Sequence, residues 1–127
     1  MHLGVVVPRV DDFSTIDLAV EAETHGYDSV WLNELWGASS VVELTDIAAR
    51  TDEVEIGTAI LNVFSRSPAV LAMTAATLDR VSDGRAVLGL GTSTKRSVES
   101  MHGASFERPV RRAHETIDIV KRLLTAD

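Results

Sequence analysis

The chain has 127 residues, 45% hydrophobic and 24% charged, which suits a single folded domain with a core and excludes a disordered or low-complexity polymer. A formal net charge of −7 argues against nucleic acid and anionic membrane surfaces as partners, and the lack of cysteine removes disulfides, thiolate catalysis and cysteine-ligated zinc. No apolar run approaches the roughly 20 residues that a bilayer span needs, and the N-terminus lacks a signal-peptide pattern, so a cytoplasmic location is the default expectation.

From the N-terminus, Leu3, Gly4, Val5, Val6 and Val7 form an apolar run ended by Pro8, which predicts a strand buried on both faces. Ser14 and Asp17 have the spacing of a capping box, and the helix they open should stop at Gly26. Residues 28–32 read as a second strand. Residues 42–50 form a helix with Leu44, Ile47 and Ala48 on one face. Residues 54–59 are a third strand. Ser67 followed by Pro68 is an N-cap with proline at the first helical position, and that helix closes at Asp83 and Gly84. Residues 86–90 make a fourth strand. A last helix from about Val110 places Ala113, Ile117, Val120 and Leu124 on one stripe.

Strand and helix thus alternate four times across residues 1–127, with no linker or internal boundary, which implies a parallel sheet with right-handed crossovers. Two architectures fit: a self-contained doubly wound sheet, or a (βα)4 unit that is half of a (β/α)8 barrel. Strand order separates them, since 2-1-3-4 marks the doubly wound sheet and 1-2-3-4 the half barrel. Pattern alone favours the doubly wound sheet, because a half barrel leaves two strand edges unpaired.

Either way, ligands gather at the carboxyl ends of the strands. This nominates the loops at Pro8 and Arg9, Asn33 and Glu34, Ile60 to Asn62, and Gly91 to Thr94. In the fourth, Gly89 and Gly91 let backbone amides approach a phosphate, while Thr92, Ser93 and Thr94 offer hydroxyls. The same residues also read as a tight strand exit with a helix N-cap. Glu34 has the place of a carboxylate that orients a ring, or that acts as acid or base if burial raises its pKa; a solvated loop glutamate is the plainer alternative. Trp36 is the better candidate for stacking on a planar cofactor, since Trp31 lies within a strand. Among the histidines, only His102 is expected in a loop placed to face a substrate. No two histidines share a helical ligand spacing, so no metal is expected.

These loops carry a family likeness. Residues 22–31 (from Ala22, Glu23 and His25 to Trp31), 34–37 (Glu34, Leu35, Trp36, Gly37), 56–60, 66–69 (Arg66, Ser67, Pro68, Ala69), 75–79 and, most strongly, 82–91 (Ser82, Asp83, Gly84, Arg85 through Gly91) together resemble the luciferase-like monooxygenase superfamily. Within it, the chain is more similar to the branch using the deazaflavin coenzyme F-420, including methylene-tetrahydromethanopterin reductases. The resemblance implies the half-barrel alternative, with the cofactor ring at the barrel mouth. It implies a non-prolyl cis peptide between Ala59 and Ile60 under the ring, an acidic site residue at Glu34, a polar one at Asn62, and a phosphate-contacting loop at Gly91, Thr92 and Ser93. Two departures accompany it. Many relatives carry Asp-His where this chain has Glu34 and Leu35, and several have a further glycine where it has Thr92, Ser93 and Thr94. Relatives are also about twice as long.

Three functional readings are open. The first is an oxidoreductase, or part of one, moving a hydride between coenzyme F-420 and a small organic substrate, with a flavin mononucleotide (FMN) monooxygenase as its sibling. The second is a half barrel without activity alone that self-associates or pairs with a second half. The third is a flavodoxin-like binding module.

Overall fold

In the computed structural model, which describes residues 1–11 and 13–125, each strand edge passes its chain to a helix on the same side of the sheet. β1 (Gly4–Val6), β2 (Ser29–Leu32), β3 (Glu55–Thr58) and β5 (Ala86–Val87) pair in parallel in the order β1-β2-β3-β5. β4 (Leu61–Asn62) and β6 (Leu90–Gly91) form a second parallel ladder. The helices α1 (Thr15–Thr24), α2 (Ser40–Arg50), α3 (Pro68–Val81) and α5 (Pro109–Thr125) follow the same sequence, each packed on the next. A short α4 (Lys95–His102) lies between β6 and α5. Sequential order with every strand parallel is half of a (β/α)8 barrel and rules out the doubly wound alternative. No helix among the described residues is long and apolar enough to cross a membrane.

The local signals act as expected where they are short-range. Ser14 Oγ accepts from the Asp17 amide at 3.3 Å, and Ser67 Oγ from the Val70 amide at 3.3 Å, each satisfying one orphan donor of its helix. Gly26 (φ 79°) and Gly84 (φ 82°) adopt left-handed backbone just past α1 and α3.

Four expectations need correction. The first strand is not buried on both faces: in β1, Gly4 and Val6 are exposed and Val5 is half-buried. The third and fourth strands are not continuous: each breaks into two short pieces, β3 with β4 and β5 with β6. His102 is the last residue of α4 rather than a loop residue, with Gly103 (φ 63°) as its left-handed C-cap. On α5, Val120 is buried as expected but Leu124 is 46% exposed. It lines an open groove of about 510 Å³ beside β5, with Leu78, Val87 and Leu88.

Register sorts the strand residues into two rows. Val5, Val30, Ile56 and Ala86 are cross-strand partners and join Ala19, Leu44, Ile47 and Leu78 in the core between sheet and helices. Val6, Trp31, Gly57 and Val87 form the opposite row, on the concave inner face. There the Trp31 ring lies against Gly57, where a Cβ would overlap the ring carbons, and its Nε1 donates to Ser29 Oγ at 2.9 Å. Trp31 is therefore the bulky member of the inner layer, and Gly57 supplies its space.

The amino-terminal side of the sheet is tied by two side chains. Arg85 donates to the carbonyls of Ser82, Val54, Ala48 and Thr51 and to Thr51 Oγ1, at 2.7–3.0 Å. Glu23 accepts the amides of Asp52, Glu53 and Val54 at 2.7–3.0 Å. Burial opposes the Glu23 charge, but these three amides and the nearby Arg85 outweigh it and hold the carboxyl below its ordinary value.

A methyl group at position 57 tests the inner layer. Gly57→Ala is expected to destabilise the chain by about 1–3 kcal/mol through overpacking, and Trp31→Leu in the same chain to recover most of that loss. Urea denaturation of the two single variants and the double variant measures the coupling. Additive losses would show that the ring and the glycine do not compete for one space.

Candidate functional site

At the carboxyl ends of the strands, the two breaks build a mouth. The Ala59–Ile60 peptide between β3 and β4 is cis, as the family likeness implies. Beside it, Thr58 Oγ1 donates to the Gly89 carbonyl at 2.8 Å and accepts the Gly89 amide at 2.9 Å. Past these breaks, Ile60 packs over Gly91, where a Cβ would come within 3.0 Å of the Ile60 side chain. The mouth contains a cleft of about 80 Å³ whose lining includes Glu34, Trp36, Ile60, Asn62 and Ser93. Five of the eight expected site residues are thereby brought together. Ala59, Gly91 and Thr92 stand beside the cleft as backbone neighbours and do not line it.

The roles open to these residues follow from their partners. Glu34 is 18% exposed and engages Arg66, which is 19% exposed, through both guanidinium nitrogens, one of them at 2.9 Å. Glu34 Oε2 also accepts the Ser40 amide and hydroxyl, both at 3.2 Å, at the start of α2. Burial works against the Glu34 charge, but the hydrogen bonds and charge of Arg66, with the Ser40 donors, prevail and hold the carboxyl below the usual glutamate range. An acid–base role near neutrality required a raised pKa, and the shift runs the other way. What remains is a fixed anion that ties the loop after β2 to the loop after β4.

Arg9 is used in a similar way. It donates to the Asn33 carbonyl at 2.7 Å and to its side-chain oxygen at 2.6 Å, and pairs with Glu43 of α2. Asn62 is buried, and its Oδ1 accepts the Phe64 amide at 2.7 Å. That bond leaves the amide NH2 as the group Asn62 can offer to a ligand. Ser93 takes a left-handed conformation (φ 58°), and Thr94 caps α4 by accepting the Ser97 amide at 3.2 Å. Trp36 is 85% exposed at the rim, available for stacking.

These residues suit a planar heterocycle with a phosphate-bearing tail. Ile60 presents an apolar surface, Asn62 a donor, and Trp36 a ring, while the Ser93–Thr94 turn offers backbone and hydroxyl donors next to a helix start. The larger groove beside β5 is lined mainly by apolar residues of α3, β5 and α5, with Asp79 and Arg80 its only charged members among the described residues, and it lies away from the carboxyl-end loops, so the mouth is the candidate site.

Sequence reasoning missed Arg66 as a site residue, although Arg66 heads the recognised stretch 66–69. It also missed the lining contributions of Ser97 and Met101 from α4, because the possible helix start at this loop carries no apolar period to extend it into a helix. The signal for α4 was present: Thr94 as N-cap and Gly103 as stop.

Comparison with known proteins agrees with this fold. The profile of the family described as luciferase-like monooxygenase matches residues 12–127. A Mycobacterium tuberculosis protein named as a coenzyme F-420-dependent oxidoreductase is 38% identical over 107 residues, covering 84% of this chain and 31% of its own length. The 5,10-methylenetetrahydromethanopterin reductase of Methanolobus tindarius is 32% identical over 107 residues, covering 84% and 32%. Among solved structures, the oxygenating constituent of 3,6-diketocamphane monooxygenase from Pseudomonas putida, in complex with FMN, superposes with a TM-score of 0.81 at 20% identity, covering 97% of this chain and 39% of that one. The chain thus spans about a third of the length of the curated relatives it matches.

The Glu34–Arg66 pair makes a pH prediction. The Glu34 carboxyl is depressed below its ordinary 4.5, so its contribution to stability is present above that pH and lost as pH falls through the lower folded value. Glu34→Gln should cost about 1–3 kcal/mol at pH 7, because Arg66 loses its counter-charge. The gap to the native chain should narrow below pH 4.5 in urea titrations. A gap of the same size at pH 3 would mean that the charge of Glu34 is not what holds Arg66.

Proposed function

We infer the function from a premise the comparisons supply: the chain belongs to the luciferase-like monooxygenase family. We propose that it forms the cofactor-binding half of an oxidoreductase that transfers a hydride between coenzyme F-420 and a small organic molecule. The observation that carries the proposal is the mouth, where a fixed carboxylate, an indole, an apolar peptide bulge, a free amide and a serine turn converge at the carboxyl ends of parallel strands. The relatives from Mycobacterium tuberculosis and Methanolobus tindarius support the deazaflavin over FMN by their names and their identity above 30%. When bound, such a cofactor supplies the hydride chemistry, and the protein supplies orientation and electrostatics. In this reading Ile60 and Trp36 hold the ring, Asn62 donates to its edge, the Gly91–Thr92–Ser93 turn meets its phosphate, and Glu34 positions the loops through Arg66.

Titration of the purified chain with coenzyme F-420 and, separately, FMN tests the proposal through cofactor fluorescence. Saturable binding of coenzyme F-420 is expected, weakened about 3- to 10-fold by Asn62→Ala through loss of one hydrogen bond. Binding of FMN alone would move the assignment to an FMN monooxygenase. Binding of neither would remove the cofactor from this half.

The free edges favour a second element of the same reading. β1 pairs only with β2, and β5 only with β3, among the described residues, and Val6 on the inner face is 55% exposed. Two such parallel edges match those of another half barrel of the same hand, so we propose that the chain closes its barrel against a second half, for which a copy of itself suffices. Sedimentation of the chain alone should then show a concentration-dependent dimer. A monomer at all concentrations would count against self-pairing.

A further inference from the structure

Each free edge of the sheet carries a groove. The one beside β5 has Ala86 and Leu88 on its floor and Leu124 of α5 on its wall. The one beside β1, of about 220 Å³, runs between the strand and α1 and is lined by Val5, Val7, Leu18, Ala22 and Tyr27, with Glu21 and His25 also reaching it. Val5 belongs to the outer row that the helices seal elsewhere, yet it is only half-buried. Among the described residues β1 has no strand beyond it on that side, and β5 has none on the other. Each groove is thus the seam that a neighbouring strand and helix would cover.

The helices that border the two grooves carry opposite charge. α1 has the carboxylates of Asp17, Glu21 and Glu23 and no Lys or Arg, whereas α5 has Arg111, Arg112, Lys121 and Arg122 against Glu115 and Asp118. Several of these are already engaged: Asp17 with Arg50, Glu23 with backbone amides, Arg111 with Glu115, and Arg112 with the Val63 carbonyl. Glu21 has only the exposed His25, at 3.5 Å, and Lys121 makes no ion pair among the described residues. Lys121 shares a stripe of α5 with Ile117 and Leu124, and Glu21 shares one of α1 with Leu18 and His25. Both helices descend from the carboxyl ends of the strands toward the amino ends, and both residues lie near the ends of their helices, so they stand at one level.

We propose that the groove beside β1 receives α5 of a second copy of this chain, with Glu21 of one copy paired to Lys121 of the other. This rests on the self-pairing reading above and names the faces that meet. A two-fold axis along the barrel repeats the contact, so α5 of the first copy enters the β1 groove of the second. β1 of each copy then lies beside β5 of the other, and Val5 of one covers the β5 groove of the other. The four strands β1, β2, β3 and β5 of each copy make up the eight of a closed barrel. Such an isologous closure consumes both edges and stops at two copies. The opposite charges flank an apolar seam, where they set register and choice of partner more than affinity. A second copy fits better than an unrelated half because one sequence holds both complementary faces.

Charge reversal in the full chain, followed by sedimentation equilibrium, tests the proposal. Glu21→Lys and Lys121→Glu each set like charges against one another at both contacts, so each variant alone should dimerise about 10-fold more weakly than the native chain. Both positions are exposed, and circular dichroism checks that each variant keeps its fold. An equimolar mixture of the two variants should regain native affinity, because both contacts of the mixed dimer again join opposite charges. Native affinity in both variants, or a mixture no tighter than its components, would overturn the pairing of these two faces while leaving self-pairing in place. A native chain that stays monomeric at all concentrations would overturn the proposal together with the self-pairing reading beneath it. Species that grow beyond the dimer as concentration rises would overturn the closed two-fold arrangement.

Discussion

The mouth exists because two neighbouring strands break at the same level, and one contact couples the breaks. Thr58 Oγ1 bonds both the amide and the carbonyl of Gly89, and a Cβ at position 89 would overlap the Thr58 carbonyl oxygen. The backbones approach this closely only because residue 89 has no side chain. Beyond the contact, the Leu61 amide donates to the Gly89 carbonyl at 2.8 Å and the Val63 amide to the Gly91 carbonyl at 3.0 Å, which starts the second ladder. Ile60, Asn62 and Gly91 are carried on that ladder to the rim. Had the strands continued in one sheet, the same residues would alternate into the barrel wall, where a ligand at the mouth would not meet them.

The two faces of the sheet have different dependencies. The outer row is sealed by its own helices, and Val30, Ile56, Leu44 and Ile47 are all at most 1% exposed. That burial is what allows the described chain to hold its shape. The inner row has only Trp31 as a large member, seated on Gly57, and Val6 and Val87 face open space. A closed barrel fills this interior with layers of side chains from all its strands. The half described here brings one bulky residue to such a layer, and its apolar neighbours await partners from elsewhere. The rim of the mouth sits above this layer and takes its geometry from the outer core through the strands, not from the inner face.

What was legible in the sequence follows the range of the interactions concerned. Caps such as Ser14 with Asp17, and Ser67 with Pro68, act over three or four residues, so local pattern located the main helices. Apolar runs located the strands, because a parallel sheet covered by helices selects Val and Ile. The strand breaks were hidden, since they depend on Thr58 meeting Gly89, 31 residues away, and neither residue announces that meeting. Glu34 was nominated by its place after a strand, yet its state could not be read locally, because the decisive partner, Arg66, is 32 residues distant. α4 escaped notice for another reason: in Lys95–His102 the only buried residue is Val98, too few apolar positions to show a helical period. The family likeness supplied the choice between half barrel and doubly wound sheet, which periodicity could not make.

Charge is arranged differently at the two ends of the strands, and the difference separates stability from chemistry. At the amino ends, Arg85 and Glu23 spend their hydrogen bonds on backbone carbonyls and amides of the turns, satisfying groups that would otherwise be left without partners at helix and strand ends. At the carboxyl ends, Arg9 ties its loop to Asn33 and to Glu43 of α2, and Arg66 ties its loop to Glu34 of the loop after β2. Pairs of that kind fix loop against loop while neutralising one another, so the rim is held rigid without a strong net field. A site organised this way discriminates by shape and by single hydrogen bonds more than by charge. The Asn62 amide lines the cleft with its NH2 group left to make such a bond, since its oxygen is held by the Phe64 amide.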